Sequence, residues 1–251
     1  SQRDDEHVSG RIRDGNMGCK LSVASEYLPV LQQRGWMSVA AVLASPEGQQ
    51  VTARSRGSVY RLELSDGEEI YVKTCRRRGR QWFKAVKDAM GDWLHLSRAE
   101  NPLFREARRL RELARIGIRV PRVIASGQAR HLGVPADGVL ITQALSGVCV
   151  DQALRDCDDP EGRLHILRTV GRTVGQYLQA GYDWPHLRAK HVYIDASGTA
   201  GLLDVEGMVH HPRRSAARRR RVLDRFRCDL APAGVSDDEW QVLEDEVRET
   251  P

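Results

Sequence analysis

The stretch Asp183–Met208, DWPHLRAKHVYIDASGTAGLLDVEGM, decides how the chain is read. Two short apolar runs, VYI and GLL, read as strands, and polar side chains stand at their edges: His186, His191 and Asp204. An ordinary surface hairpin has no use for two imidazoles and a carboxylate in these places. Asp204 closes Gly201-Leu202-Leu203, an apolar strand end, so the sequence predicts a buried carboxylate there. Burying a carboxylate costs several kcal/mol unless a cation or hydrogen-bond donors compensate it. A metal ion would compensate it; the competing reading makes Asp204 a turn or cap residue.

Working outward, 251 residues suffice for one large domain or two small lobes, and an apolar share of 41% permits a core. Nothing approaches the roughly 18 consecutive apolar residues of a membrane span, and SQRDDEHVSGRIRDGNMGCK is too polar for a secretory leader, so a cytoplasmic protein is expected. Five cysteines, at 19, 75, 149, 157 and 228, include no C-x-x-C pair, which argues against a disulfide framework or a zinc knuckle. The net charge of +5 is concentrated in CRRRGRQWFKAVK (75–87) and HHPRRSAARRRRVLDRFR (210–227). Such clusters favour a polyanionic partner, the bland alternative being a solvated helix face rich in arginine.

Upstream, EYLPVLQQRGWMSVAAVLAS predicts a helix and turn before the first strand, and the first twenty residues read as flexible. VYRLEL and EIYVKT alternate apolar and polar residues around Asp66-Gly67, a hairpin signal. NPLFREARRLRELARIG carries Leu103, Ala107, Leu110, Leu113 and Ala114 at helical spacing and stops at Gly117. VLITQALSG reads as a strand, and DQALRD as a short helix capped by Asp151. Leu164, Leu167, Val170, Val174 and Leu178 then mark a long helix ending at Gly181. Downstream come an arginine-rich helix over about 212–230 and an acidic helix with a Ser236/Glu239 capping box. Strands first and helices later predict a two-lobed α+β protein.

In EIYVKT, Tyr71 and Lys73 share one strand face, so the ammonium can project towards a ligand, although most strand lysines are simply solvated. Protein-kinase-like enzymes hold ATP phosphates with a strand lysine paired to a helix glutamate, and Glu106 in LFREARRL is the candidate partner. Gly57 in RSRGSVYRL can open the backbone over phosphates, a weak signal taken alone. A kinase catalytic loop also sets an acidic base, a metal-binding side chain five residues later and, past a hairpin, a magnesium-binding aspartate. His186, His191 and Asp204 occupy those places.

WPHLRAKHVYID followed by GLLDVEGM resembles the lipopolysaccharide core kinase family of the Kdo/WaaP type, within the protein-kinase-like superfamily. Trp184, Pro185, Leu187, Lys190, His191, Asp204 and Met208 match the family's loop W/Y-P-D-L-x-x-K-H-I/V-x-V/I and its metal segment. The resemblance covers about residues 50–230, down to Asp229-Leu230 on the arginine-rich helix. It implies a two-lobed protein-kinase-like fold, with a small antiparallel sheet lobe and a larger, mainly helical lobe. The expected boundaries are a partly flexible extension at 1–50, a sheet lobe with an αC-like helix at 51–145, and a helical lobe at 146–251.

The implied activity is ATP-dependent phosphorylation of a Kdo or heptose hydroxyl of the lipopolysaccharide inner core. Lys73 would hold the ATP phosphates, with Gly57 beside them and Glu106 positioning Lys73. His191 and Asp204 would bind Mg2+, a histidine being common in the family at the second ligand position. His186 stands where the family has its catalytic aspartate and would face the acceptor hydroxyl; a neutral imidazole can accept a proton. Glu206-Gly207 stands where a basic residue often precedes the methionine. The implied partner is an anionic glycolipid or phosphosugar, reached at the cytoplasmic membrane face, which the basic clusters suit. The alternative on the same fold is a catalytically impaired pseudokinase. A metallohydrolase built on His186, His191, Asp204, His210 and His211 is disfavoured, because a five-residue step does not put two histidines on one helix face. Nucleic-acid binding is not expected, since no aromatic stacking platform accompanies the arginines.

Overall fold

Alternating and helical periods translate into a sheet followed by helices. The computed structural model describes residues 20–54, 57–76, 100–131, 134–211 and 215–250. The basic stretch 77–87, Arg213-Arg214 and the expected flexible segment up to residue 19 lie outside them. The chain divides into two compact units, one within 1–108 and 122–144, the other within 109–121 and 145–251.

The first unit contains β1 (Lys20–Val23), α1 (Leu28–Gln33), α2 (Val39–Ala44), β2 (Gln49–Arg54), β3 (Gly57–Glu63), β4 (Glu69–Cys75), the first half of α3 (Pro102–Arg115), β5 (Val123–His131) and β6 (Val134–Gln143). The strands form one antiparallel sheet in the order β1-β5-β6-β4-β3-β2. β3 and β4 are the anticipated hairpin. Its turn closes with Gly67 at φ 84°, a left-handed conformation that glycine adopts without a Cβ clash. In β4, Ile70 and Val72 are fully buried while Tyr71 and Lys73 face the other way, as alternation requires.

A strand, β1, precedes the helices, contrary to the expected order. Trp36, Leu31, Val39 and Val42 of residues 20–44 pack into one apolar cluster with Ile70, Val72, Ile124, Val139 and Ile141. The helix α3 has the predicted span, with Leu103, Ala107, Leu110 and Leu113 buried. Ala114 is exposed instead, and the buried face turns towards Glu106.

The second unit contains β7 (Val148–Cys149), α4 (Val150–Arg155), α5 (Pro160–Gln179), β8 (Tyr182–Asp183), β9 (Val192–Ile194), β10 (Ala200–Leu202), β11 (Val209–His210), α6 (Ala216–Leu230) and α7 (Asp237–Glu249). Asp151 does not cap α4: it lies in the first turn and pairs with Arg155, four residues on. Asp159 caps α5, whose Leu167, Val170, Val174 and Tyr177 are fully buried. The helices α5 and α7 approach closely because Gly171 faces the chain there: a Cβ on it would stand 2.7 Å from the Leu243 carbonyl oxygen. The Ser236/Glu239 capping box forms as predicted. Strands β10-β9-β7 make a small antiparallel sheet, and β8 with β11 a two-stranded ribbon. These short strands carry the stretch 183–208. None of the described helices is long and apolar enough to cross a membrane.

Candidate active site

In the first unit, the outward face of β4 and the buried face of α3 meet at an ion pair. Lys73 Nζ lies 2.6 Å from Glu106 Oε1, with the glutamate side chain 2% exposed and the lysine 18%. A carboxylate this deep requires charged or hydrogen-bonding company. The lysine head is thereby fixed on the sheet surface rather than left to sample rotamers. Gly57 begins β3 opposite Cys75, where an added Cβ would come within 2.0 Å of the Thr74 carbonyl oxygen. Close approach of β4 explains that glycine without a ligand.

In the second unit, the loop between β8 and β9 is pinned from several sides. Trp184 is buried and stacks on the His191 ring, centroids 5.4 Å apart and planes 12° from parallel. Asp229 on α6 accepts from the Ala189 amide at 2.5 Å and from Arg188 Nε at 2.6 Å. Burial pushes this carboxyl up, but the Arg188 and Ala189 hydrogen bonds and the Arg188 charge together outweigh burial and hold it below the usual carboxylate range. Arg225, also on α6, donates to the Pro185 carbonyl at 2.8 Å. One helix thus holds both ends of the turn that presents His186. The His186 side chain is exposed, its Cδ2 only 3.3 Å from where a Cβ on Gly207 would stand.

Asp204 is not the buried carboxylate expected from its apolar neighbours; its side chain is 49% exposed. Its backbone is the unusual feature. At φ 61° and ψ 47° it is the one non-glycine residue in the left-handed region among the described residues. The chain on either side is fixed: the Leu203 amide donates to the His191 carbonyl at 2.8 Å, and Val205 and Met208 are buried. The strained turn lifts the carboxylate off the strand end and towards His191, Oδ2 to Nε2 3.8 Å. Burial pushes the His191 imidazole below its ordinary value, and the opposing pull of Asp204 does not restore it. A neutral imidazole keeps a lone pair to donate. The Glu206 carboxylate lies within 4.8 Å of that of Asp204. Two carboxylates beside a neutral imidazole fit a hard divalent cation such as Mg2+ or Mn2+.

The profile of the lipopolysaccharide kinase (Kdo/WaaP) family matches residues 34–245. The chain belongs to this family. Similar proteins include the 3-deoxy-D-manno-octulosonic acid kinase of Xanthomonas campestris pv. campestris (strain B100), 26% identical over 151 residues, covering 60% of this chain and 57% of that one. The kinase of the same description from Xanthomonas oryzae pv. oryzae (strain PXO99A) is 30% identical over 103 residues, covering 41% of this chain and 40% of its own length. The matched segments therefore span 57% and 40% of these curated relatives. Among solved structures, WaaP in complex with acyl carrier protein superposes with a TM-score of 0.64 at 17% identity, covering 89% of this chain and 88% of that one. The Kdo/WaaP chain described here accordingly has the α+β kinase-like architecture, an antiparallel sheet unit and a mainly helical unit.

Within that framework the expected residues form two local groups: Lys73 with Glu106, and His191 with Asp204. Asp229, Arg225 and the Trp184 stack were missing from the sequence-derived site. Their partners lie seven to some forty residues away in sequence, and two of the four are backbone groups, which no spacing rule exposes. Glu206 carried a visible signal, an acidic side chain two positions from Asp204.

Proposed function

We propose that the chain is an ATP-dependent sugar kinase that phosphorylates a Kdo or heptose hydroxyl of the lipopolysaccharide inner core. The observation carrying this reading is the 2.6 Å Lys73–Glu106 pair, in which a nearly fully buried carboxylate fixes an ammonium on the sheet face. Lys73 binds ATP phosphate oxygens and Glu106 keeps it extended towards them. Asp204 and His191, with Glu206 beside them, are the residues that hold Mg2+; the cation supplies charge neutralisation on the phosphates. His186 orients the acceptor hydroxyl and takes its proton as the acceptor oxygen bonds to phosphorus and the bond to the β,γ-bridging oxygen breaks, releasing ADP. Phosphoryl transfer relies chiefly on positioning and charge stabilisation, so an imidazole in place of a carboxylate at 186 is compatible with turnover. The acceptor is an anionic glycolipid, met by peripheral contact with the cytoplasmic membrane face, and the basic clusters of the sequence favour it.

A second reading, a nucleotide-binding pseudokinase, is favoured by one observation, the histidine at 186. The deciding experiment follows labelled γ-phosphate from ATP onto a Kdo-bearing lipid A precursor, alongside calorimetric ATP binding. Transfer supports the kinase, binding without transfer the pseudokinase, and absence of both at millimolar ATP with Mg2+ or Mn2+ refutes the two together.

A further inference from the structure

A groove in the second unit runs along the amino-terminal half of α6, past Asp183 and Pro185. It comprises a cavity of about 280 Å³ lined by Asp183, Pro185, Arg218, Arg221, Val222 and Arg225, and a second of about 220 Å³ that shares Asp183 and Arg218 with it. Positions 218, 221 and 225 follow the i, i+3, i+7 spacing of one helix face, and Val222 forms an apolar floor between them.

These arginines differ from their neighbours. Arg163, Arg172, Arg188 and Arg227 of the same unit each meet a carboxylate: Glu239, Glu246, Asp229 and Asp237. Among the described residues Arg218 has no side-chain hydrogen bond or ion pair, and Arg221 only a 3.4 Å contact with the Ala217 carbonyl of its own helix. Arg225 gives one nitrogen to the Pro185 carbonyl. Asp224, on the same helix, pairs with none of them. Three guanidiniums that form no ion pair among the described residues, around one concavity, match a dianion, which a guanidinium can grip with two parallel N–H donors. The same cavity contains Asp183, whose buried Oδ1 accepts no hydrogen bond. That oxygen repels an anion locally and suits a hydroxyl donor.

We propose that this groove binds a phosphorylated sugar, its phosphate monoester on Arg218, Arg221 and Arg225 and a ring hydroxyl on Asp183. The site deepens the kinase reading and rests on it for one point only: that the phosphosugar is part of the acceptor. Pro185, directly before His186, lines the groove, so an acceptor anchored there by a phosphate it already carries is tethered to the loop that presents His186.

The test uses the full chain and two water-soluble probes, a deacylated Kdo-bearing glucosamine disaccharide with its phosphates and the same saccharide without them. Titration calorimetry with these probes, and with phosphatidylglycerol vesicles as a third titrant, is run on the wild type, on Arg218→Ala/Arg221→Ala and on Arg218→Lys/Arg221→Lys. The expected result is at least tenfold weaker binding of the phosphorylated probe by the alanine variant, part of the loss recovered by lysine, and unchanged Mg-ATP binding in both. Removing the phosphates from the probe should weaken wild-type binding to the same degree. Equal binding by wild type and alanine variant, or no binding by the wild type, overturns the proposal. So does a loss confined to phosphatidylglycerol vesicles, which would assign the arginines to a bulk lipid surface. If the phosphosugar binds through these arginines while no ATP binds, the kinase reading fails and the groove stands.

Discussion

The Lys73–Glu106 pair can be tested so that stability and nucleotide binding separate. Lys73→Met deprives Glu106 of its lysine at a position where only 2% of the carboxylate side chain reaches solvent. Breaking a buried ion pair by removing one partner costs about 3–5 kcal/mol; the 18% exposure of Lys73 admits some solvent screening, so a loss of about 2–3 kcal/mol is expected. Replacing both partners with apolar residues, Lys73→Met/Glu106→Leu, removes the desolvation penalty along with the attraction, and should return stability to within about 1 kcal/mol of the wild type. Denaturant unfolding of the four proteins of the cycle gives the coupling, and calorimetry gives ATP affinity for the same samples. If Lys73 holds phosphates, both Lys73 variants lose ATP binding, although the double variant is stable. A double variant that binds ATP like the wild type would show that Lys73 serves the fold alone. A single variant as stable as the wild type would refute the assigned energetics.

Three further outcomes are expected. Asp204→Gly should stabilise the second unit by about 1 kcal/mol, because glycine relieves the left-handed strain, while abolishing Mn2+ binding measured by electron paramagnetic resonance. His186→Asp should raise the transfer rate if the rest of the site is intact, and leave it at zero if the chain is a pseudokinase; ATP affinity should be unchanged in either case. Asp229→Asn should cost about 1.5–3 kcal/mol at neutral pH, the worth of hydrogen bonds to a charged acceptor. Because the folded Asp229 carboxyl lies below its unfolded value of 3.8, its contribution is complete above that value and vanishes as pH falls through the lower folded one. The stability curves of the wild type and of the Asp229→Asn variant should therefore converge only below about pH 4.

The sheet and the long helices were legible because their physics is local. Asp66-Gly67 sets a turn, Ile70 and Val72 alternate with Tyr71 and Lys73, and a stripe from Leu103 to Leu113 marks α3. Residues 20–44 are harder to place: Trp36 and Val42 are buried in a cluster that needs Ile70 and Val72 from β4 and also Ile124 and Ile141, about a hundred residues later. Ala114 departs from the expected stripe because alanine satisfies a helical period without needing to be buried. Asp151 sits in the first turn rather than at the cap because an aspartate is favoured at both places, and its i+4 arginine, visible in DQALR, selects the turn. At the site, Lys73, Glu106, His191 and Asp204 could be singled out by type and order, and their pairing required the fold. The clamp by Asp229 could not be read at all, since one of its two partners is the Ala189 backbone amide.

At Asp204 the sequence singles out a residue through physics that the structure does not bear out. The apolar run Gly201-Leu202-Leu203 suggests a carboxylate buried at a strand end, whereas the backbone turns left-handed at that residue and exposes it. A buried carboxylate would hold a cation through desolvation, and would be costly to leave empty. An exposed one on a strained turn, beside His191 and Glu206, is costly in backbone energy instead, about 1–3 kcal/mol whether or not a cation is bound. The strain is sustained by the Leu203–His191 hydrogen bond and by burial of Val205 and Met208, none of which touches the carboxylate. The orientation of the Asp204 carboxylate is thus prepared in advance by its surroundings. A divalent ion that exchanges with each nucleotide would meet such a site without first having to reorganise it.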